Sequence, residues 1–263
     1  MKHRRFSENF PENSEWMSMK EVIRKKIEEL LAKEYYLMME VLGQKGTIFS
    51  VNTDTRQPYI KILAYRSCVA VCTSEGLHEK VQELLRGRSR DEIFEFPFVY
   101  GQTIHYVPDI ERVTLVPSMP DGNFEFLMGE EISSLNGLKG FENALAFDEN
   151  GFTPTKAVCI ARYHEQIIGV AGAAASSVAD VWEAGVDVAE AYRNAGLGTC
   201  LVSRLTKELL ARNIVPFYSA SVTNIGSQMV AGRCGYRPMW VDTFGTVLDG
   251  SSVYNGLVKE LRL

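Results

Sequence analysis

No stretch of this sequence approaches the roughly 18 uncharged apolar residues of a membrane span, so a membrane-embedded chain is not expected. Behind His3, Arg4 and Arg5 there is no apolar core of the kind a secretory leader carries, and the expected location is the cytoplasm. Basic residues are in the minority, 28 Lys and Arg against 33 Asp and Glu. The resulting net charge of −5 argues against a protein whose main task is gripping nucleic acid or an acidic membrane surface. Cysteine is scarce and scattered: Cys68, Cys72, Cys159, Cys200 and Cys234 show neither the paired spacing of a zinc site nor that of a redox dithiol, and read as small core residues. The four histidines are equally dispersed, so no metal is expected.

What the sequence does have is enough apolar content, 46% of 263 residues, for one large domain or two ordinary ones. Trp16, Met19, Ile23, Ile27, Leu30 and Leu31 recur at helical spacing and predict an amphipathic helix from Ser14 to Glu40. β-prone segments follow at Thr47–Val51, Tyr59–Ala64 and Cys68–Thr73, then a helix carrying Leu77, Val81, Leu84 and Leu85. From Asp91 to Pro108 the pattern is aromatic and irregular. Pro117 to Gly122 is the clearest break, which divides the chain into an N-terminal α+β unit, residues 1–120, and a second unit, residues 121–263. The second unit reads as a strand at Phe124–Met128, a mixed helical region and a hairpin of Lys156–Tyr163 with Ile167–Ala173. A strand at Asp180–Val188, a helix from Thr199 to Asn213, a strand at Pro216–Ser221, a helix at Ile225–Cys234 and a closing strand region at Met239–Leu248 complete it.

Between the Asp180–Val188 strand and the next helix lie Arg193, Asn194, Ala195, Gly196, Leu197, Gly198 and Thr199. Small residues let backbone approach an anion, and the first N–H groups of a helix are unpaired and carry the positive end of its dipole. A P-loop would need Gly-Lys-Ser/Thr here, and a dinucleotide fingerprint would need Gly or Ala where Leu201 stands. The Arg-x-x-Gly-x-Gly of Arg193, Gly196 and Gly198 instead resembles the acyl-CoA-binding signature of the GNAT superfamily of N-acetyltransferases. Asn224, Ser227, Arg233, Gly235 and Tyr236 resemble a second GNAT segment in the right order. Trp182–Val188 and Tyr100–Pro108 look like a bacterial two-domain subgroup with a C-terminal GNAT domain.

The resemblance implies an α/β fold with a mixed sheet splayed beside a cofactor cleft, acetyl-CoA as cofactor, and an amine of a small molecule or protein as acceptor, attacking directly in a ternary complex. It implies that Asn194 to Thr199 cradle the pyrophosphate, with Arg193 adding charge. The strand edge Val186, Asp187 and Val188 would pair with the pantetheine arm, aided by Asn224 and with Ser227 beside it. Asn224 could equally be a helix N-cap. Acyl transfer to an ammonium needs a proton acceptor, and Glu183 is the leading carboxylate, on the same strand face as Asp187 unless a bulge shifts the register. The tyrosine expected seven residues after Asn224 is replaced by Ala231, leaving Tyr218, Ser227 or water as proton donor. The alternative function is therefore a non-catalytic acyl-CoA-binding regulatory protein, with a nucleotide-binding module third. A homodimer is compatible with every reading.

Overall fold

The computed structural model describes residues 13–96, 98–113 and 123–247, with side chains from Met19 onward. The basic terminus, the Trp16 side chain and the Pro117–Gly122 break lie outside the described residues.

The first helix, α1, spans Asn13–Glu34 and buries Ile23, Ile27, Leu30 and Leu31. It stops six residues before the expected Glu40. Tyr36 takes a left-handed backbone (φ 53°), and Leu37 N–H bonds back to the Ala32 carbonyl at 2.8 Å. That turn lets Tyr35 point inward, fully buried, while the Tyr36 hydroxyl donates to Asp54 at 2.7 Å. Then follow β1 (Gly46–Val51), β2 (Tyr59–Tyr65), β3 (Cys68–Thr73) and α2 (Glu75–Leu85). The irregular aromatic stretch resolves into a short helix, α3 (Arg90–Phe94), and strand β4 (Thr103–Pro108). Ser89 and Glu92 close a capping box at the start of α3.

The later elements are β5 (Asn123–Met128), β6 (Thr155–Tyr163), β7 (Gln166–Ala175), β8 (Val181–Val188), α4 (Leu197–Leu210), β9 (Val215–Ser221), α5 (Ile225–Arg233), β10 (Tyr236–Asp242) and β11 (Thr246–Val247). Asn213 (φ 60°) and Gly235 (φ 81°) supply the left-handed turns that follow α4 and α5.

All the strands join one mixed sheet in the order β1-β3-β2-β10-β4-β9-β8-β7-β6-β5, with β11 on β2. The break near residue 120 therefore does not separate two sheets. β4, which precedes it, is inserted between β9 and β10, which follow it, and β10 in turn pairs with β2. Helix α1 packs on Leu63, Tyr65, Ala70, Val181, Phe217 and Trp240. The opposite face carries α2 on Ile60, Ile62, Val69 and Val71, and α4 on Ala157, Cys159, Ala171, Ala184 and Tyr218.

Candidate active site

Strands β8 and β9 run parallel, and their pairing ends early. Val181, Trp182, Glu183 and Ala184 align with Val215, Pro216, Phe217 and Tyr218, and no pair follows. Beyond that point β9 is held by β4 through Ser221, while β8 is held only by β7 through Val188. The strands thus part, leaving Gly185 to Val188 with a ladder on one side. A strand edge of this kind offers main-chain donors and acceptors to an amide-bearing ligand.

The Arg193 turn closes the same end of β8. A single 3-10 turn, Glu190–Tyr192, leads into Asn194 (φ 63°) and Gly196 (φ 83°). α4 begins at Leu197, two residues before the expected Thr199. Cys200 N–H already bonds Gly196 at 3.0 Å, so the donors without an intrahelical acceptor are those of Leu197, Gly198 and Thr199. Gly196 caps the helix with no side-chain hydrogen bond, and no acidic residue stands in the first turn. Gly196 is needed for its backbone angle. At Gly198 an added Cβ would lie 3.6 Å from Val188 Cγ2 and 3.9 Å from those of Val186 and Val230, ordinary contacts, so packing does not demand glycine there. What its absent Cβ provides is open backbone against Val186 and Val188, which fits an anionic group seated on the helix terminus.

Several expected residues have other work. Arg193 Nε donates to the Val188 carbonyl at 2.9 Å, so this side chain braces the turn. Asn224 caps α5, its Oδ1 accepting from Ser227 N–H at 3.1 Å. Asp187 accepts from Asn143 Nδ2 at 2.8 Å and Ala144 N–H at 3.0 Å, which ties the 141–145 segment across β7 and β8. That segment lies on a cross-strand glycine pair, Gly172 and Gly185. A Cβ at Gly185 would come 2.2 Å from the Asn143 carbonyl oxygen. The register of β8 on β7 is unbroken, so no bulge intervenes and Glu183, Gly185 and Asp187 share a face.

Glu183 is exposed and opens on a cavity of about 300 Å³ lined by Glu34, Lys61, Thr103, His105, Phe217, Ser219, Trp240 and Asp242 among others. The N-terminal residues, α1 through β4, contribute much of this wall. His105 Nε2 lies 2.7 Å from Asp242 Oδ1, and His105 Nδ1 lies 2.8 Å from Ser219 Oγ. The His105 ring is stacked on Trp240, centroids 4.5 Å apart and planes 3° from parallel. The second Asp242 oxygen accepts from the Tyr35 hydroxyl at 3.3 Å and faces Lys61 Nζ at 3.5 Å. Lys61 also pairs with Glu34 at 2.9 Å. Burial works against the Lys61 ammonium, but Glu34 and Asp242 outweigh it and hold the amine above its ordinary value. His105, Ser219, Asp242 and Lys61 were not singled out by local spacing, since their proximity is created by strand pairing. The alternation of Thr103, His105 and Val107 with Ile104, Tyr106 and Pro108 is the one local signal that could have marked β4.

On the other face, Tyr218 sits at the last β8–β9 pair. Burial raises the Tyr218 phenol above its usual value, with the nearby Ser227 side chain opposing. Ala231 is fully buried in the core beside α4. Cys234 is buried too, its thiol donating to the Thr199 carbonyl at 3.2 Å. Among the described residues no His, Cys, Asp and Glu side chains cluster as a metal site, and no helix is long and apolar enough to cross a membrane.

Parallel strands that part beside a glycine turn and an uncapped helix start give a mixed α/β fold with a cleft in its sheet. Residues 121–239 match the model of the GNAT acetyltransferase family, which supports a C-terminal GNAT domain. Among solved structures the chain is similar to a GCN5-related N-acetyltransferase-like protein from Streptococcus suis, at 17% identity and TM-score 0.44, over 86% of this chain and 99% of that one. It is also similar to a GNAT-family acetyltransferase from Colwellia psychrerythraea, at 10% identity and TM-score 0.45, over 70% and 65% of the two chains. A GCN5-related N-acetyltransferase from Kribbella flavida aligns at 17% identity and TM-score 0.41, over 56% and 57%. The chain thus spans less than two thirds of the Colwellia and Kribbella proteins. No curated protein matches the sequence.

Proposed function

We propose that the protein is an acetyl-CoA-dependent N-acetyltransferase whose acceptor is an amine of a small molecule or protein. The observation that carries this reading is the parting of β8 and β9 at Ala184 and Tyr218, with helix-terminal donors at one end and the Glu183 cavity at the other. When bound, acetyl-CoA supplies an acetyl group activated as a thioester. The N–H groups of Leu197, Gly198 and Thr199 hold the phosphate charge, and the free edge of Gly185 to Val188 pairs with the amide-bearing arm. Arg193 keeps the turn in shape by holding the Val188 carbonyl.

Glu183 takes the proton that an ammonium acceptor must lose before its nitrogen can attack. The acidic side chains Glu34, Glu183 and Asp242 outnumber Lys61 in the same cavity, which favours a cationic acceptor. With Ala231 in the core, Tyr218 supported by Ser227 takes the proton-donor role. The alternative, a regulatory acyl-CoA-binding protein, draws on the missing tyrosine; the polar cavity around Glu183 favours turnover.

Calorimetry with acetyl-CoA, CoA and ATP, followed by thiol release over a panel of amines, tests the reading. Binding of both CoA ligands without ATP, and turnover that falls about 10²–10⁴-fold in Glu183→Gln with CoA affinity retained, is expected. Failure to bind CoA, or a preference for ATP, would sink it. CoA binding with no turnover on any amine would transfer support to the regulatory reading.

A further inference from the structure

Three strands bring a nucleophile, a base and an orienting carboxylate into one hydrogen-bonded line. Ser219 on β9 and His105 on β4 are direct cross-strand partners, and His105 is the partner of Trp240 on β10. The β10 register shifts between Pro238 and Trp240. That extra residue turns Trp240 and Asp242 to the cavity face while Tyr236 faces α4.

The proton positions follow from the partners. Lys61 and Tyr35 donate to Asp242 Oδ2, and Oδ1 meets the imidazole as an acceptor, so Nε2 carries the ring proton. Nδ1 of the neutral ring then has only a lone pair to offer, and the Ser219 hydroxyl must donate to it at 2.8 Å. A hydroxyl donating to a histidine that a buried carboxylate orients is the arrangement that activates a serine for acyl transfer. Asp242 and His105 are largely buried, with side chains 7% and 12% exposed, whereas Ser219 is half-buried and lines the open cavity. Stacking on Trp240 fixes the plane of the ring.

We propose that Ser219 is a nucleophile that accepts an acyl group from an activated ester or thioester. The Ser219 Oγ–acyl carbon bond forms as the bond from that carbon to the leaving group breaks. The leaving alkoxide or thiolate takes the electron pair, and the Ser219 proton passes to His105 Nδ1. His105 Nδ1 hands that proton to the leaving group; water or the acceptor then attacks the acyl carbon, His105 Nδ1 takes the proton it gives up, and that proton returns to Ser219 Oγ as the Ser219–acyl bond breaks, which restores the serine. That a CoA thioester is the natural donor rests on the function proposed above; the nucleophile itself does not.

The experiment uses the full chain and p-nitrophenyl acetate, with a fluorophosphonate as a second serine-directed probe. A burst of p-nitrophenolate, a Ser219 peptide heavier by one acetyl group, and fluorophosphonate labelling at the same residue are expected. Ser219→Ala should abolish both labels. Asp242→Asn, which can donate to Nε2 and so leave the proton on Nδ1, should slow acylation about 10²–10⁴-fold. Ser219→Cys should keep acylation. Peptide mapping of the unmutated protein decides the matter even where a variant fails to fold. Acetyl found only on lysines, or no fluorophosphonate adduct at Ser219, overturns the proposal. Absence of CoA binding with Ser219 still acylated would instead remove the acetyl-CoA reading and leave the nucleophile standing.

Discussion

Gly185→Ala and Gly198→Ala make the same substitution on either side of one cleft and should have opposite effects. At Gly185 the new Cβ would lie 2.2 Å from the Asn143 carbonyl oxygen and 3.0 Å from its carbon. Both are backbone atoms, so no rotamer relieves the clash, and the 141–145 segment has to lift from β8. Doing so strains the 2.8 and 3.0 Å bonds that Asp187 accepts from Asn143 and Ala144. Forced backbone movement of this kind costs about 1–3 kcal/mol. For a protein of this size that lowers Tm by roughly 2–12 °C.

At Gly198 the nearest atom is 3.6 Å away and the backbone angle is ordinary, so alanine fits. Replacing a helical glycine with alanine adds up to about 0.5–1 kcal/mol of stability, a rise of roughly 1–4 °C. The same methyl group covers the backbone beside Val186 and Val188, where the CoA reading needs close approach. Affinity for CoA should therefore fall by about tenfold or more, which is about 1.4 kcal/mol. Scanning calorimetry and titration calorimetry on both variants provide the readouts. A Gly198→Ala protein that binds CoA as tightly as the parent would refute the phosphate turn, and a Gly185→Ala protein with the parent Tm would refute the seating of the 141–145 segment.

Asp187→Ala should leave the Ala144 N–H and the Asn143 amide without their acceptor and lower the urea midpoint by about 1–3 kcal/mol in stability, with the slope unchanged. Ala231→Tyr, which restores the aromatic residue of the resembled motif, should destabilise by about 1–3 kcal/mol because position 231 is fully buried, and thermal denaturation at or above the parent Tm would contradict that packing. Burial pushes the thiols of Cys159 and Cys234 from about 9 to about 12. The folded state keeps these protons where the unfolded chain releases them. Their contribution is thus complete below about pH 9 and is lost as pH rises from there toward 12, by about 1.4 kcal/mol per pH unit for each thiol. Denaturation midpoints above that pH should fall less steeply in Cys159→Ala/Cys234→Ala than in the parent.

Helices and strands with clear periodicity were legible within a few residues. The Cys68–Thr73 strand falls where the pattern puts it, and α4 and α5 end at Leu210 and Arg233, shortly before the left-handed Asn213 and Gly235. α1 ends at Glu34 rather than Glu40 because the chain turns at Tyr36, which buries Tyr35 and lets the Tyr36 hydroxyl reach Asp54. The Asp91–Pro108 stretch hid a strand because β4 is short and follows a five-residue helix. Its neighbours in the sheet, β9 and β10, come more than a hundred residues later. No local pattern could show that a segment before the break at Pro117–Gly122 completes the sheet formed after it.

The two ends of the cleft are built by different means, and that difference decides what a sequence can disclose. The Arg193 turn is contiguous: Arg193 to Thr199 carry its bends, its brace and its helix-terminal donors within seven residues, so the local pattern and the geometry coincide. The cavity beside Glu183 draws Glu34, Lys61, His105, Glu183, Ser219 and Asp242 from six separate elements. Their meeting depends on register, and a shift of one residue in any strand would turn its contribution to the opposite face. The irregularity at Met239 is such a shift, and it is what aims Asp242 at His105 while leaving Tyr236 on the α4 side. β4 and the end of β10 lie outside the matched residues 121–239, so His105 and Asp242 reach the cavity from outside that match, while Glu183 and Ser219 lie within it.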